Sequence, residues 1–380
     1  MHGLAPPRIL ALCGDPGGAS AVAPVIRALR AQGRVTVQAL AYRQAGTLWA
    51  ERNVTFEELD ERIGQAGVVN LLCNPKAALL LTGASLNAAE LEKRFIAAAC
   101  ENRVASLTLL DFWSNYARRF SDRDGRLVYV PDRIALMDEQ AYGEMVTEGF
   151  DAGRLVITGQ PAFDDLAQWR SRFTPLRRQE IRRALRVEPR ALLVLFVSQP
   201  LSVLYGMDAL WPDDLGFTEQ MVLGAVVRAL DQIVREKGQD IVLAVRPHPR
   251  EEADWLERIH SQAIRIVVSR EERSRDLAMA ADLVVGMNTG LLVEACYLGC
   301  VALSVQPGLR LPDALPTNRS GHSRAVYRQE EIKPVLEEML LDKETRMAAQ
   351  ARLLDLQLDN GATQRVVKLV YQMIGLEQEE

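Results

Sequence analysis

The sequence predicts an α/β protein made of two doubly wound halves, each a parallel sheet buried between helices. Short apolar runs alternate with amphipathic stretches along almost the whole chain. Those runs are nearly continuous in apolar residues, as strands covered on both faces must be. The pattern also restarts near residue 190, and 380 residues are too many for one ordinary core. With 48% apolar and 25% charged residues and no low-complexity tract, the composition is that of a globular chain.

In the first half Arg8–Cys13, Val35–Ala41, Ala78–Thr82, Ser106–Leu110, Arg133–Met137 and Leu155–Thr158 read as strands. Stretches such as Ala19–Arg30 and Ala88–Cys100 read as helices between them. The second half opens on the unbroken apolar strand Ala191–Val197, followed by helix Thr218–Lys237 and strand Ile241–Val245. Helix Glu251–Ser261, strand Ile264–Val268, helix Glu272–Ala280, strand Leu283–Val285, helix Gly290–Leu298 and strand Val301–Val305 come next. Amphipathic helices Lys333–Leu341, Lys343–Leu356 and Ala362–Ile374 close the chain, Gly361 breaking the last from its predecessor. The expected organisation is a first domain over 1–168, a basic linker helix over 169–189 and a second domain over 190–358. The segment 359–380 is a helix that crosses back to the first domain.

The linker holds eight arginines between Trp169 and Arg190 against only Glu180 and Glu188. It reads as a solvated helix packing through Leu176, Ile181 and Leu185, or as a basic face for an anionic membrane or a phosphorylated acceptor. A formal net charge of −5 gives no reason to expect a nucleic-acid partner. Five cysteines in apolar surroundings, none in a C-x-x-C pair, suit free buried thiols in a reducing compartment. Cys296 and Cys300 fall four apart on one predicted helix, as buried neighbours would. There is no signal-peptide pattern and no run of about 18 apolar residues, so a soluble cytoplasmic protein is expected, with at most peripheral membrane contact through the linker.

Several strand ends carry residues suited to chemistry. Gly14–Ser20 joins the first strand to a helix; Gly17 and Gly18 would let backbone approach an anion, and Asp15 is a candidate general base. The alternative is a tight turn with Asp15 solvated. Asp111, Trp113 and Asn115 follow another strand, where a ring can stack on a sugar and a carboxylate can take a proton; the alternative is an aromatic core cap. Thr82 and Ser85 end a third strand and line the same crevice. In the second half Ser198 and Gln199 follow one strand, and Arg246 and His248 follow the next. Two apart on an extended segment, Arg246 and His248 face one side and suit phosphate or a base. Asn288, Thr289 and Gly290 cap a helix whose free N–H groups suit a pyrophosphate, and Glu294 one turn on can reach ribose hydroxyls. Asp122-Arg-Asp124 reads as a turn ending in Asp124-Gly125, not a metal motif, and four scattered histidines give no zinc site.

Gly14–Gly18, Thr158–Pro161, Arg246–Pro249, Asn288–Glu294 and Asp359–Val366 together resemble the GT-B glycosyltransferase superfamily across nearly the whole chain. Their layout is similar to its UDP-N-acetylglucosamine 2-epimerase branch. The His-Pro pair also resembles capsule, Kdo, sialic-acid and glycerol-phosphate transferases that use CMP- or CDP-linked donors. The resemblance implies two Rossmann-like domains facing across a cleft, with a nucleotide sugar held by the second. The epimerases carry His-x-Glu-Ala-Gly after a central strand; here the place reads Leu110-Asp111-Phe112-Trp113-Ser114. That departure favours glycosyl transfer.

The expected activity is a transferase needing no metal or other cofactor, which moves a sugar from a UDP- or CMP-linked donor to a glycan, glycolipid or protein acceptor. Arg246, His248 and the helix start at Asn288–Gly290 would stabilise the departing phosphate. Ser198 and Gln199 would line the phosphate side, Glu294 would fix the ribose, and Asp15 or Asp111 would take the acceptor proton. Two rivals stay open: an epimerase or hydrolase of UDP-amino sugars, and a non-catalytic nucleotide-sugar binder or scaffold in polysaccharide assembly.

Overall fold

The computed structural model describes residues 5–87, 89–205, 215–249, 251 and 253–376, with backbone only at 204, 205, 253 and 257. The chain divides into two compact units, Met1–Asp165 with Asp359–Glu380, and Leu166–Leu358.

The first unit is built on a seven-stranded parallel sheet. Its strands are β1 (Arg8–Cys13), β2 (Thr36–Ala41), β3 (Glu57–Glu58), β4 (Leu79–Gly83), β5 (Ala105–Leu109), β6 (Arg133–Leu136) and β7 (Leu155–Ile157). They lie in the order β3-β2-β1-β4-β5-β6-β7. Successive side chains of β1 point to opposite faces. Ile9, Ala11 and Cys13 join a core with Val22 and Ile26 of helix Pro16–Gln32 and Val366 and Val370 of helix Ala362–Met373. Leu10 and Leu12 pack on the other face with Phe95 and Ile96 of helix Leu91–Glu101. Both faces are covered, so no polar residue interrupts the strand.

The second unit holds a six-stranded parallel sheet of β8 (Leu192–Val197), β9 (Ile241–Arg246), β10 (Arg265–Val268), β11 (Leu283–Gly286), β12 (Ala302–Val305) and β13 (Arg324–Val326). Their order is β10-β9-β8-β11-β12-β13. One face packs on helix Glu219–Lys237, capped by the Thr218 hydroxyl accepting from Met221 N and closed by left-handed Gly238. In each unit the chain runs outward from its first strand to one edge, then returns to that strand's other side. The loops after β1 and β4, and after β8 and β11, therefore leave in opposite directions, and a crevice opens at their C-terminal tips.

Four sequence expectations are corrected. The linker is not one helix but two, Leu166–Arg172 and Pro175–Ala184. Pro175 forces Thr174 into an extended conformation, and the Thr174 hydroxyl then caps the second helix. Ile181 and Leu185 are buried, but Leu176, in the first turn, is 59% exposed. Three of the linker's eight arginines are paired: Arg177 with Glu272 and Asp276, and Arg178 and Arg182 with Asp282, all within the second unit, while Arg170, Arg172, Arg183, Arg186 and Arg190 are exposed. These pairs give Arg177, Arg178 and Arg182 a structural role.

In place of helix Glu251–Ser261 the described backbone forms a short 3-10 turn, Ala253–Arg258, which buries Trp255 and Leu256. Cys100 is exposed rather than buried, and Cys300 lies beyond the helix that ends at Tyr297, after left-handed Gly299. The remaining cysteines are buried or partly buried, and all five are free thiols. Edge strands β3 and β13 carry no strand signal in the sequence, because Glu57-Glu58 and Arg324-Ala325-Val326 are too short and too polar to read as strands. Asp122 and Asp124 form the expected turn, both bonded to Arg126, with Gly125 at φ +80°. His2 lies outside the described residues. No described helix is long and apolar enough to cross a membrane.

Gly18 lies against the backbone of β4, since a Cβ there would stand 2.9 Å from Gly83 Cα, whereas a Cβ at Gly290 would meet nothing within 4 Å. Gly18→Ala is therefore expected to cost roughly 2 kcal/mol or more in urea unfolding, and Gly290→Ala within about 0.5 kcal/mol of wild type. Equal midpoints for the two variants would contradict that packing.

Candidate functional site

In the second unit the crevice lies at the tips of β9, β8 and β11, three adjacent strands. Ser198 N donates to Arg246 O at 2.9 Å, tying the β8 tip to β9. The Gln199 side-chain oxygen accepts from Asn288 N at 3.0 Å, tying it to β11. All three expected strand-end segments of this unit are thus brought together. Arg246 is anchored by one guanidinium nitrogen to Ser269 O at 3.1 Å, and His248 is half-buried. The Thr289 hydroxyl accepts from Leu291 N at 3.4 Å, which orients the start of helix Gly290–Tyr297.

Asn288 is only 9% exposed, and its side-chain oxygen has no hydrogen-bond partner among the described residues. The same holds for the side-chain oxygen of Gln306, fully buried just beyond β12, the strand beside β11. A buried acceptor without a donor is costly, by about 1–3 kcal/mol each. A bound molecule or a water would relieve it.

Glu251 and Arg275, unassigned from sequence, belong to this crevice. The Glu251 carboxylate accepts from the Ser198 hydroxyl at 2.8 Å and from His248 N at 3.0 Å, clamping the Arg-Pro-His-Pro loop to the β8 tip. Burial holds its pKa above the usual carboxylate range. Glu294 pairs with Arg275, Nε to Oε2 at 2.6 Å. Neither partner carries a spacing signal; each is recognisable only from the fold.

The first unit's crevice, at the tips of β1 and β4, is closed by its own polar groups. Asp15, 8% exposed, accepts from Leu86 N at 3.0 Å and Asn87 Nδ2 at 3.2 Å, so it is not a solvated base. Asp111 is held by Arg119 at 2.6 Å, and a Cβ on Gly17 would fall 1.7 Å from its other carboxylate oxygen. Gly17 and Gly18 therefore have packing reasons that need no donor. Thr82 is fully buried and shares a 2.8 Å hydrogen bond with Thr108, while Ser85 donates to Glu92 at 2.5 Å. Trp113 is 5% exposed, donates to Asp138 at 2.7 Å and stacks on Phe163. It caps the core and presents no ring to a sugar. Asn115, with φ +57°, starts helix Tyr116–Phe120 and donates to the Ser114 hydroxyl. The acceptor-lining role expected of Thr82, Ser85 and Trp113 is thus contradicted, because their polar atoms are spent inside the protein.

At the centre of this cluster is Glu92, 3% exposed. Its carboxylate accepts from Gly14 N at 2.8 Å, from Ser85 and from the Tyr42 hydroxyl. Asn87 Nδ2 reaches the Tyr42 hydroxyl as well, at 3.0 Å. Burial pushes the Glu92 pKa up to about 7, with the Asp15 charge adding to the rise and the Ser85 and Tyr42 hydrogen bonds opposing it. A sequence signal existed: Glu92 shares a helical stripe with Phe95, Ile96 and Ala99, so a carboxylate occupies a core position.

No protein-family profile and no curated protein matches the sequence. Solved structures do. UDP-GlcNAc 2-epimerase from Neisseria meningitidis, bound to UDP-GlcNAc, is similar at TM-score 0.69 and 12% identity, over 96% of this chain and 100% of that one. A glycosyltransferase from Rickettsia africae matches at TM-score 0.66 and 11% identity, over 98% and 99%. HepE from Anabaena, in complex with UDP-glucose, matches at TM-score 0.61 and 15% identity, over 97% and 98%. At such identities the likeness establishes the fold, and the chain has the GT-B fold.

Because the folded pKa of Glu92 is about 7 against 4.5 for the free group, the native state holds an extra proton between those values. The resulting stability is complete below pH 4.5 and is lost as pH rises through about 7. Across that window wild type should lose about 3 kcal/mol relative to the uncharged Glu92→Gln. Unfolding curves at pH 4.5, 6 and 8 check this; parallel pH profiles for the two proteins would refute it.

Proposed function

We propose that the chain is a nucleotide-sugar enzyme, and within that class a glycosyltransferase moving a sugar from a UDP- or CMP-linked donor to a glycan, glycolipid or protein acceptor. The observation that carries this is the convergence of Ser198, Gln199, Arg246, His248 and the Asn288–Gly290 helix start at one switch point of the second sheet. Ligands of open parallel sheets bind at such points. A guanidinium, an imidazole and free helix N–H groups there suit a diphosphate or phosphate that gains charge as the sugar leaves. Protein groups, rather than a divalent cation, then meet the leaving phosphate.

Asp111 is the stronger candidate for the proton acceptor, because its side chain keeps 14% exposure and Arg119 fixes its orientation. Glu294 would hold the ribose. The fold shared with enzymes that bind UDP-GlcNAc and UDP-glucose supports a sugar nucleotide as ligand. It also keeps the epimerase alternative alive, against which stands Leu110–Ser114, with one carboxylate and no histidine.

A thermal-shift panel of UDP, CDP, CMP, GDP and TDP tests the binding claim, since a ligand confined to the folded state raises Tm by mass action. One of them should raise Tm, and Arg246→Met should weaken that nucleotide about tenfold, the loss of one charge-assisted hydrogen bond. Asp111→Asn should retain nucleotide affinity and lose transfer. Failure of all five nucleotides at millimolar concentration would sink the proposal, and turnover of UDP-GlcNAc without an acceptor would replace transferase by epimerase or hydrolase.

A further inference from the structure

Arg275 lies on helix Ser274–Ala280, one strand back in the chain from the helix that carries Glu294. It is 7% exposed, and its guanidinium sits 5.3 Å from the centre of the Trp169 ring. Trp169 is itself pinned, its indole N–H donating to Asp276 at 3.0 Å, and Asp276 pairs with Arg177 at 3.1 Å. The cation therefore lies over a ring that is tied down at its indole nitrogen and also carries the Arg273 guanidinium, 5.5 Å from its centre.

Its contact with Glu294 is a single-point one, from Nε to Oε2. A carboxylate has about four lone-pair sites, so one hydrogen bond leaves acceptor capacity unused. The Glu294 side chain keeps 20% exposure, so the pair does not enclose it. On a helix the Cα–Cβ bond tilts toward the N-terminus, and residues four apart share a face. Glu294 accordingly leans over the turn that begins at Gly290, toward the Asn288–Gly290 end.

We infer that Arg275 is a positioning residue: seated over the Trp169 ring, it holds the Glu294 carboxylate with its open lone pairs toward the crevice, where they accept from the two vicinal hydroxyls of a ribose. Its role is selectivity for ribonucleotides over 2′-deoxyribonucleotides. This inference rests on the nucleotide reading of the second unit. A merely structural ion pair would change the stability of the protein and leave sugar selectivity untouched.

The test compares dissociation constants for UDP with 2′-deoxy-UDP, and for CDP with 2′-deoxy-CDP, by calorimetry on the full chain. Wild type should prefer the ribose form of the bound pair by about tenfold, the value of one hydrogen bond to a charged acceptor. Arg275→Met should bring that preference to within about twofold while binding the deoxy form as wild type does. Should Arg275→Met fail to fold, Arg275→Lys carries the test: it keeps the charge, loses the planar guanidinium, and should lose at least about threefold of the preference. A tenfold preference retained in the variant, whatever its Tm, overturns the inference and leaves the nucleotide proposal standing. So does a wild type that binds ribose and deoxyribose forms equally. If wild type binds none of the four, the nucleotide proposal itself has failed and this inference falls with it.

Discussion

A parallel sheet that grows from its first strand to one edge and then to the other leaves the tips on either side of that strand uncovered. Both units obey this constraint, at β1 and β4 in the first and at β8 and β11 in the second. Backbone N–H groups and polar side chains converge at such a gap because the loops on its two sides turn away from each other. Something must then satisfy those groups, and the two units differ in what does.

The first unit satisfies most of them from within, the Gln44 side-chain oxygen beyond β2 being left without a partner among the described residues. Glu92 gathers Gly14 N, Ser85 and Tyr42; Asp15 takes Leu86 N and Asn87; Arg119 binds Asp111 and the carbonyls of Ala84 and Ser114. Partly satisfied buried networks are costly, while complete ones hold a loop in a single conformation. The glycines of this crevice follow from that closure: the Tyr42 ring fills the space beside Gly14, and the Asp111 carboxylate the space beside Gly17. Thr82, Ser85 and Trp113, which resembled ligand contacts, are the mortar of that switch point.

The second unit keeps acceptors without donors at Asn288, beside its gap, and at Gln306, beyond β12, among the described residues. Around them the framework is braced from behind. Glu251 clamps the His248 loop, Asp282 accepts from Leu193 N and pairs with Arg178 and Arg182, and Arg275 holds Glu294. Two of the linker's eight arginines are spent on that bracing. Arg182 is mostly buried against Asp282, and removing one partner of such a pair strands the other. A preorganised crevice with unmet acceptors is the arrangement from which a polar ligand gains most.

The alternation of apolar runs and amphipathic stretches determined the fold class, the restart near residue 190 and nearly every central strand, because burial on two faces writes itself into consecutive residues. It also determined which segments end strands of the second unit, since Ser198, Arg246 and Asn288 each follow an apolar run directly. Tertiary structure alone decided which polar residues meet. Glu92 and Tyr42, Glu251 and Ser198, and Arg275 and Glu294 are 50, 53 and 19 residues apart, and their pairing depends on strand order, which periodicity does not encode. Thr82 and Trp113 show the converse: both follow the rules for strand-end residues, yet the space around each is filled by the protein, a fact that belongs to packing and not to sequence spacing.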